Sequence, residues 1–193
     1  MKTSLGAKTL ATVPVWVVGT YDQDGKPDVM TAAWCGICCS KPPCITVSLR
    51  KATYTYGNIM ARKAFTVSIP SGAHVKEADY FGLVSGKDVD KFAVSGLTPV
   101  KSDLVDAPFV AEFSHIIECQ LLHSYDIGLH TMFVGEIVDV KADKDLLAED
   151  GSLDAQKLRP LFFDSGSRQY LKLGGSVGKA FDVGRNIGNQ GVD

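Results

Sequence analysis

The segment from Thr31 to Arg50 carries residue types that could bind a flat, phosphorylated ligand. Small residues from Thr31 to Ala33 would let a planar ring approach the backbone closely, and Trp34 could pack on that ring. The segment ends in Arg50 and Lys51, directly before a predicted helix. A helix N-terminus offers free N–H groups and a partial positive charge, and arginine adds a bidentate fork for phosphate oxygens. The pattern therefore indicates a site for a phosphate that carries a flat group.

Simpler interpretations exist for both halves of this segment. Arg50 and Lys51 could be two solvated basic residues in front of a surface helix that Thr53 or Thr55 caps, since threonine is a good N-cap residue. The stretch from Thr31 to Cys35 could be an ordinary strand. Composition alone favours these structural interpretations, so the ligand hypothesis depends on what the rest of the chain adds.

Four of the five cysteines lie close together, at Cys35, Cys38, Cys39 and Cys44. Zinc and iron–sulfur sites usually pair thiolates from two separate loops, and here only Cys119 lies elsewhere. We therefore predict no metal. The thiols are expected to be reduced, and to act as small buried hydrophobic residues with an occasional redox role.

His130 is the histidine with the best claim to chemistry, because it stands near the start of a long predicted strand, two residues after a glycine turn. An imidazole there could donate to a ligand or pass a proton, although a lone histidine on a strand is more often structural. Neither a Gly-x-Gly-x-x-Gly after the first strand nor a Walker loop is present, and no catalytic triad follows from the spacing.

Composition and charge exclude several classes of protein. The 193 residues are 45% hydrophobic and 22% charged with a net charge of −2, which is typical of one soluble globular domain. Scattered basic residues give no footprint for nucleic acid or for acidic lipid. The N-terminus lacks the features of a signal peptide, and no apolar run is long enough to span a bilayer. A cytoplasmic protein is expected.

The pattern of apolar residues predicts a mainly β fold with short helices. An Asp-Gly turn at 24–25 and a glycine at 128 predict two hairpins. Many strands at short spacing argue for a closed or nearly closed antiparallel barrel. The predicted strands are 13–21, 27–33, 45–49, 64–69, 109–113, 114–127 and 129–140, and the predicted helices are 53–62, 74–81, 88–92 and 154–158. We predict one domain over 1–183 and a flexible tail over 184–193.

In order and spacing, these motifs resemble the flavin reductase-like, FMN-binding split-barrel family, and especially its flavoredoxin branch. The resemblance covers about residues 5 to 180. Its motifs are Val17–Thr20, Asp24–Pro27, Val29–Trp34, Pro43–Arg50, Thr53–Thr55, Phe65–Ile69, Ser85–Phe92 and His130–Ile137.

The resemblance implies a six-stranded Greek-key split barrel with short helical insertions, and a homodimer with FMN near the subunit interface. It also implies a set of site residues. Thr31, Ala32, Ala33, Trp34 and Cys35 would line the isoalloxazine, while Ser48, Leu49, Arg50, Lys51, Thr53 and Thr55 would hold the ribityl chain and phosphate. Ser68 and Ile69 would lie beside the ring, Asp88, Lys91 and Phe92 would shape the site, and His130 and Tyr170 would approach the flavin or the nicotinamide space. The sequence departs from the family at Asp28 and Ser68, where many relatives have asparagine.

The function implied is electron transfer through noncovalent FMN. The protein would be either an NAD(P)H-dependent flavin or ferric reductase, or an electron carrier that a redox partner protein reduces and that passes electrons to a small-molecule acceptor. The alternative is a cysteine-based redox sensor or binding module without permanent flavin. The sequence leaves open the donor, the acceptor, the reduction potential, and whether FMN is a fixed cofactor or a substrate.

Overall fold

The computed structural model describes residues 1–185 and 187, and it contains twelve strands and four α-helices in that part of the chain. The strands are β1 (Thr12–Pro14), β2 (Trp16–Tyr21), β3 (Pro27–Ala32), β4 (Cys35–Ser40), β5 (Pro43–Arg50), β6 (Ala64–Ser68), β7 (Pro99–Lys101), β8 (Pro108–Val110), β9 (His115–Asp126), β10 (His130–Ala142), β11 (Leu161–Asp164) and β12 (Gln169–Lys172). The helices are α1 (Tyr54–Arg62), α2 (Val75–Leu83), α3 (Lys91–Ser95) and α4 (Ala155–Leu158). Most of the predicted tail, 184–193, lies outside the described residues.

The central sheet closes into a barrel because its two end strands are neighbours in sequence. Seven antiparallel strands follow the order β3-β2-β6-β9-β10-β5-β4. Laid flat, six strand spacings would separate β3 from β4 by about 29 Å. Only Ala33 and Trp34 connect these strands, a link that can span about 11 Å at most. The sheet must therefore curl until its ends meet.

Two apolar clusters lie on opposite faces of this sheet. The barrel interior holds Val18, Leu49, Phe65, Ile117 and Phe133. The outer face packs against α2, α3 and β11 through a second cluster whose members include Val17, Phe81, Phe92, Ile116 and Leu161. Adjacent residues of β2 and β9 thus point into different clusters. β9 is therefore buried on both faces for part of its length.

The two predicted hairpins are confirmed. The β2–β3 turn has Gly25 at φ 81°, and the Asp22 carboxylate accepts hydrogen bonds from the backbone N–H groups of Asp24 and Lys26, both at 2.9 Å. The β9–β10 turn has Gly128 at φ 84°. Positive φ favours glycine, which explains both turns from sequence.

The fold class is the predicted antiparallel split barrel with short helices, but the strand count and several boundaries differ. The barrel sheet has seven strands rather than six, because β4 pairs with β5 as an edge strand; its glycine and cysteines gave no strand signal. The helix predicted over 88–92 begins later, since Asp90 is its N-cap and accepts from the Ala93 N–H at 3.1 Å. The strand predicted over 109–113 is shorter, and β7, β11 and β12 were not predicted.

No helix among residues 1–185 and 187 is both long enough and apolar enough to cross a membrane.

Candidate functional site

The segment predicted to line a flat ring and the segment predicted to hold a phosphate lie side by side. The backbone N–H of Ser48 in β5 donates to the carbonyl of Trp34 at 2.8 Å. The next residue, Cys35, is the first of β4 and is the direct cross-strand partner of Val47. The Trp34 side chain is 37% exposed, so its indole is available at the surface of this junction. A ligand lying on one segment would therefore also meet the other.

The end of β5 brings in the predicted proton donor. Arg50 is the direct cross-strand partner of His130, and Ser48 is the partner of Met132. Arg50 is exposed and His130 is partly buried. Side chains of directly opposed residues stand on the same face of a sheet, about 5 Å apart at Cβ. The guanidinium and the imidazole are thus available to the same ligand.

The first turn of α1 keeps its backbone donors free. Thr53 occupies the N-cap position, but its side chain makes no capping hydrogen bond. Instead, both its hydroxyl and its backbone N–H donate to the Arg50 carbonyl, at 2.8 Å and 3.0 Å. The first N–H groups of an α-helix have no partner within the helix, so in α1 they remain available to an anion.

A cleft of about 320 Å³ opens at this helix start. Two lysines, Lys51 and Lys87, stand in its wall. Lys51 also pairs with Asp126 at 2.7 Å, where both side chains are more than half exposed, and this contact raises the lysine pKa. The remaining lining residues are Asp22, Gln23, Thr53, Tyr54, Gly57, Asn58 and Ala61.

The acidic residue of this cleft is already occupied by protein donors. The Tyr54 hydroxyl donates to Asp22 at 2.7 Å, in addition to the two turn N–H groups. The same hydrogen bond is the main reason that the pKa of Tyr54 is raised to about 12. These bonds orient the Asp22 carboxylate but leave it negatively charged, so an incoming anion meets it together with the two lysines.

A buried ion pair lies behind the cleft. Lys91 Nζ is 3.7 Å from Asp28 and donates to the carbonyls of Val29 at 2.6 Å and Phe81 at 3.2 Å. The Thr55 hydroxyl donates to the same carboxylate at 3.2 Å. Burial raises the pKa of Asp28 despite the attraction of Lys91, and burial lowers the pKa of Lys91. Lys91 and Thr55 thus hold β3, α1 and α3 together.

The side chains of several predicted site residues make hydrogen bonds or pack inside the protein. The Thr31 hydroxyl donates to the Ala78 carbonyl, and the Ser68 hydroxyl accepts from the Val110 N–H at 3.2 Å. Ala32, Leu49 and Phe92 are buried in the two cores. Of this group, a ligand at the surface could reach Ala32 and Leu49 only through their backbones.

Neither Tyr170 nor Ile69 lines the smaller cleft. Tyr170 donates to Asp79 of α2 at 2.9 Å, and burial together with this bond raises its pKa to about 12. Ile69 lines a second, larger cleft of about 780 Å³, whose other walls come from 71–74, 112–114, 145–146, 155–159 and 172–173. Asp88 is exposed, and its backbone N–H donates to the Ser85 carbonyl at 3.1 Å.

The Cys35 thiol is poorly suited to act as a nucleophile. It lies 3.6 Å from the Ala32 carbonyl and 3.8 Å from the Pro14 carbonyl. Burial raises its pKa to about 12, so the thiol stays protonated at neutral pH. Among the described residues, no group of three or more histidine, cysteine or carboxylate side chains is arranged to hold a metal ion.

Of the nine residues that line the smaller cleft, only Lys51 and Thr53 were predicted from the sequence, and the other seven were missed. Tyr54 and Asn58 lie one turn apart on α1, with Gly57 and Ala61 on the same face, so helical periodicity could have identified this wall. Lys87 stands in the predicted Ser85–Phe92 motif. It reaches the cleft because the loop packs so closely at Gly86 that any Cβ there would strike Asp28 and Tyr54.

The arrangement fits a flavin mononucleotide. Free N–H groups, two lysines and Arg50 suit a phosphate, and the small residues and indole at 31–35 suit a planar ring. The walls of both parts are joined by the hydrogen bond between Ser48 and Trp34. Chemically, such a site can bind and orient a cofactor, and His130 can supply or accept a proton beside it.

Comparison with known proteins agrees with this interpretation. Residues 9–172 match the family described as "Flavin reductase like domain". The structure of flavoredoxin from Desulfovibrio vulgaris (Miyazaki F) superimposes with a TM-score of 0.92 and 54% identity, covering 96% of this chain and 100% of that chain.

Two proteins of Archaeoglobus fulgidus are more distant relatives. An uncharacterized protein is 33% identical over 115 residues, which cover 60% of this chain and 65% of that protein. A protein named ferric-chelate reductase (NAD(P)H) is 32% identical over 108 residues, which cover 55% of this chain and 62% of that protein. The chain thus spans less than two thirds of the length of either relative. Because the family match covers most of its length, the chain belongs to the flavin reductase-like domain family of flavoproteins, in its flavoredoxin branch.

Proposed function

We propose that this protein binds FMN noncovalently and carries electrons through it. The observation that supports this most is the convergence of Trp34, Ser48, Arg50 and His130 beside the uncapped start of α1. It brings a surface for a ring, donors for a phosphate and a proton-bearing group onto adjoining strands. A flavin at such a site can take up a hydride and release electrons singly.

The chain's own residues would bind and orient the cofactor. Arg50, Lys51, Lys87 and the N-terminus of α1 would hold the phosphate through charge-assisted hydrogen bonds. Backbone groups of residues 31–35 would meet the polar edge of the ring. The His130 imidazole would hold a proton that can pass to the reduced cofactor or to its acceptor. No other residue is assigned an acid–base role.

Two sources of electrons are proposed, and each has a relative that supports it. The ferric-chelate reductase (NAD(P)H) supports direct reduction by a nicotinamide nucleotide, with flavin or Fe(III) as the acceptor. The flavoredoxin favours a carrier that a partner protein reduces. Steady-state oxidation of NADH and NADPH with added FMN or Fe(III) separates the two, because rapid turnover would exclude a pure carrier.

A homodimer is proposed as the functional state. Apolar side chains are exposed in the first half of β4 and the far half of β10, with Ile37 at 80% and Val138 and Val140 at about half. Trp34, at the edge of the candidate site, directly precedes β4. Burial of these side chains against a second copy would also cover the site. Light scattering of the purified protein measures the mass directly.

The FMN proposal is tested by titrating flavin-free protein with FMN, riboflavin and FAD. Riboflavin has the same ring but no phosphate, so it should bind at least about tenfold more weakly than FMN if the phosphate meets charge-assisted donors. Equal affinity for FMN and riboflavin would contradict the proposed phosphate site. Failure to bind any of the three compounds would contradict the proposal that the protein binds a flavin.

A further inference from the structure

The β4–β5 hairpin brings three thiols to one place on the sheet. The register pairs Ile37 with Ile45 and Cys39 with Cys44, so β4 has one residue more than β5 over this stretch. Such a bulge sets two residues of one strand opposite a single residue of the other. Cys38 and Cys39 therefore both oppose Cys44.

The pairing of Cys39 with Cys44 matches the geometry of a disulfide. Direct partners in an antiparallel pair have Cα atoms about 4.5–5.5 Å apart, and their side chains share one face. Disulfides need Cα atoms roughly 4.4–6.8 Å apart. The backbone of the hairpin would thus need little movement to allow an S–S bond between these two residues.

The two thiols differ in access, which gives them different roles. Cys39 is exposed on an edge strand, whereas Cys44 is 2% exposed. Burial raises the pKa of Cys44, and the neighbouring Cys38, Cys39 and Glu136 add to this effect. An oxidant would therefore meet Cys39 first, and Cys44 would be the thiol that closes the bond.

We propose that Cys39 and Cys44 form a redox-active cross-strand pair that a peroxide converts into a disulfide. In the first step, the Cys39 thiol and hydrogen peroxide give a sulfenic acid and one water. In the second step, the Cys44 sulfur attacks the Cys39 sulfur, which forms the S–S bond and releases a second water. A dithiol reductant restores both thiols by exchange. This reaction uses only the hairpin and does not depend on the proposed flavin function.

The test uses the full chain, oxidised with hydrogen peroxide, blocked with N-ethylmaleimide and digested with trypsin. Because proline follows Lys26 and Lys41, trypsin leaves residues 9–50 as one peptide that contains four of the five cysteines. We expect this peptide to lose two hydrogens and to carry two fewer maleimide groups than the unoxidised control. Dithiothreitol should reverse both changes. An oxidised peptide that carries maleimide on all its cysteines would overturn the proposal.

Three single variants identify the partners. Cys39→Ser and Cys44→Ser should each abolish the intrapeptide bond, while Cys38→Ser, the matched change at the neighbouring exposed thiol, should keep it. Circular dichroism confirms that each variant is folded before it is compared. A bond that persists in Cys44→Ser would show that Cys39 is not paired with Cys44 and would overturn the proposal. A bond to Cys119, which lies on another tryptic peptide, would equally overturn the assignment.

Discussion

The backbone N–H of Ser48 donates to the carbonyl of Trp34 at 2.8 Å, which fixes β5 against the short link between β3 and β4. This link is also what closes the barrel, because it joins the two end strands of the sheet. The fold and the candidate site therefore share one structural element. The surface for a ring and the donors for a phosphate are held at a set separation by the barrel itself.

Replacing Thr53 by aspartate should weaken FMN binding while preserving the fold. An aspartate N-cap would take the free N–H groups of α1 and place a negative charge where the phosphate is proposed to lie. We expect the Kd for FMN to rise about tenfold or more and the Kd for riboflavin to change little. Fluorescence titration with both flavins measures the two constants.

Thr53→Asn is the matched control, because asparagine caps a helix equally well without a charge. We expect it to weaken FMN binding less than aspartate does. The midpoint of thermal unfolding should not fall in either variant. An aspartate variant that binds FMN as tightly as the parent protein would contradict the placement of the phosphate at α1.

The two lysines of the smaller cleft should contribute to FMN affinity through the phosphate. Each lysine would lose a charge-assisted contact with the phosphate, so Lys51→Ala and Lys87→Ala should each raise the Kd for FMN, by up to about tenfold. The effect should shrink at high salt. Lys101→Ala removes an exposed lysine on β7 and should leave the Kd unchanged; an equal loss in this control would show a general charge effect.

His130→Gln should slow electron transfer without releasing the flavin. If the imidazole passes a proton, its loss should reduce the rate of flavin reduction or reoxidation by about a hundredfold, the lower end of the range for general acid catalysis. Stopped-flow absorbance measures both rates, and the flavin spectrum reports occupancy. His123→Gln changes an exposed histidine on β9 and should have no effect. Unchanged rates in His130→Gln would leave the histidine a structural role.

Cys35 should react slowly with alkylating reagents, and its rate should rise with pH up to about 12. Its folded pKa of about 12 lies above that of an ordinary thiol, so the reactive thiolate is scarce below that value and increases about tenfold per pH unit. At pH 8 we expect alkylation by iodoacetamide to be about a thousandfold slower than for free cysteine. Mass spectrometry follows the reaction. Rapid modification at neutral pH would contradict a protonated thiol.

The buried pair of Asp28 and Lys91 should matter for stability. Lys91→Met removes one partner and leaves an uncompensated buried carboxylate, which should lower the free energy of unfolding by about 3–5 kcal/mol. Combining it with Asp28→Leu removes both charges and should recover part of this loss. Urea denaturation measures both variants. A single variant that costs less than about 1 kcal/mol would show that the carboxylate finds another partner.

Local sequence signals predicted most strands of the barrel, but they did not predict β4 or the strands β7, β11 and β12 outside it. Gly25 and Gly128 have positive φ, which favours glycine, so both hairpins could be predicted from the sequence. In contrast, β4 consists of residues with weak strand preference and exists because β5 pairs with it. The pairing of β11 with β1 joins residues about 150 positions apart, which no local pattern encodes.

Site residues that are neighbours in sequence could be predicted, whereas those that tertiary contacts bring together could not. Arg50 and Thr53 were identified by their place before a helix. The opposition of Arg50 and His130, however, results from strand register. The sequence could not show that Thr31 and Lys91 use their polar groups on backbone carbonyls, because those acceptors belong to other elements.

The most direct test of the account is the visible absorbance of the purified protein, followed by mass analysis of the chromophore that heat releases. We expect a two-band flavin spectrum and a released compound with the mass of FMN. A colourless protein that also fails to bind added FMN would contradict it, and the cysteines of the β4–β5 hairpin would then be the principal candidates for function.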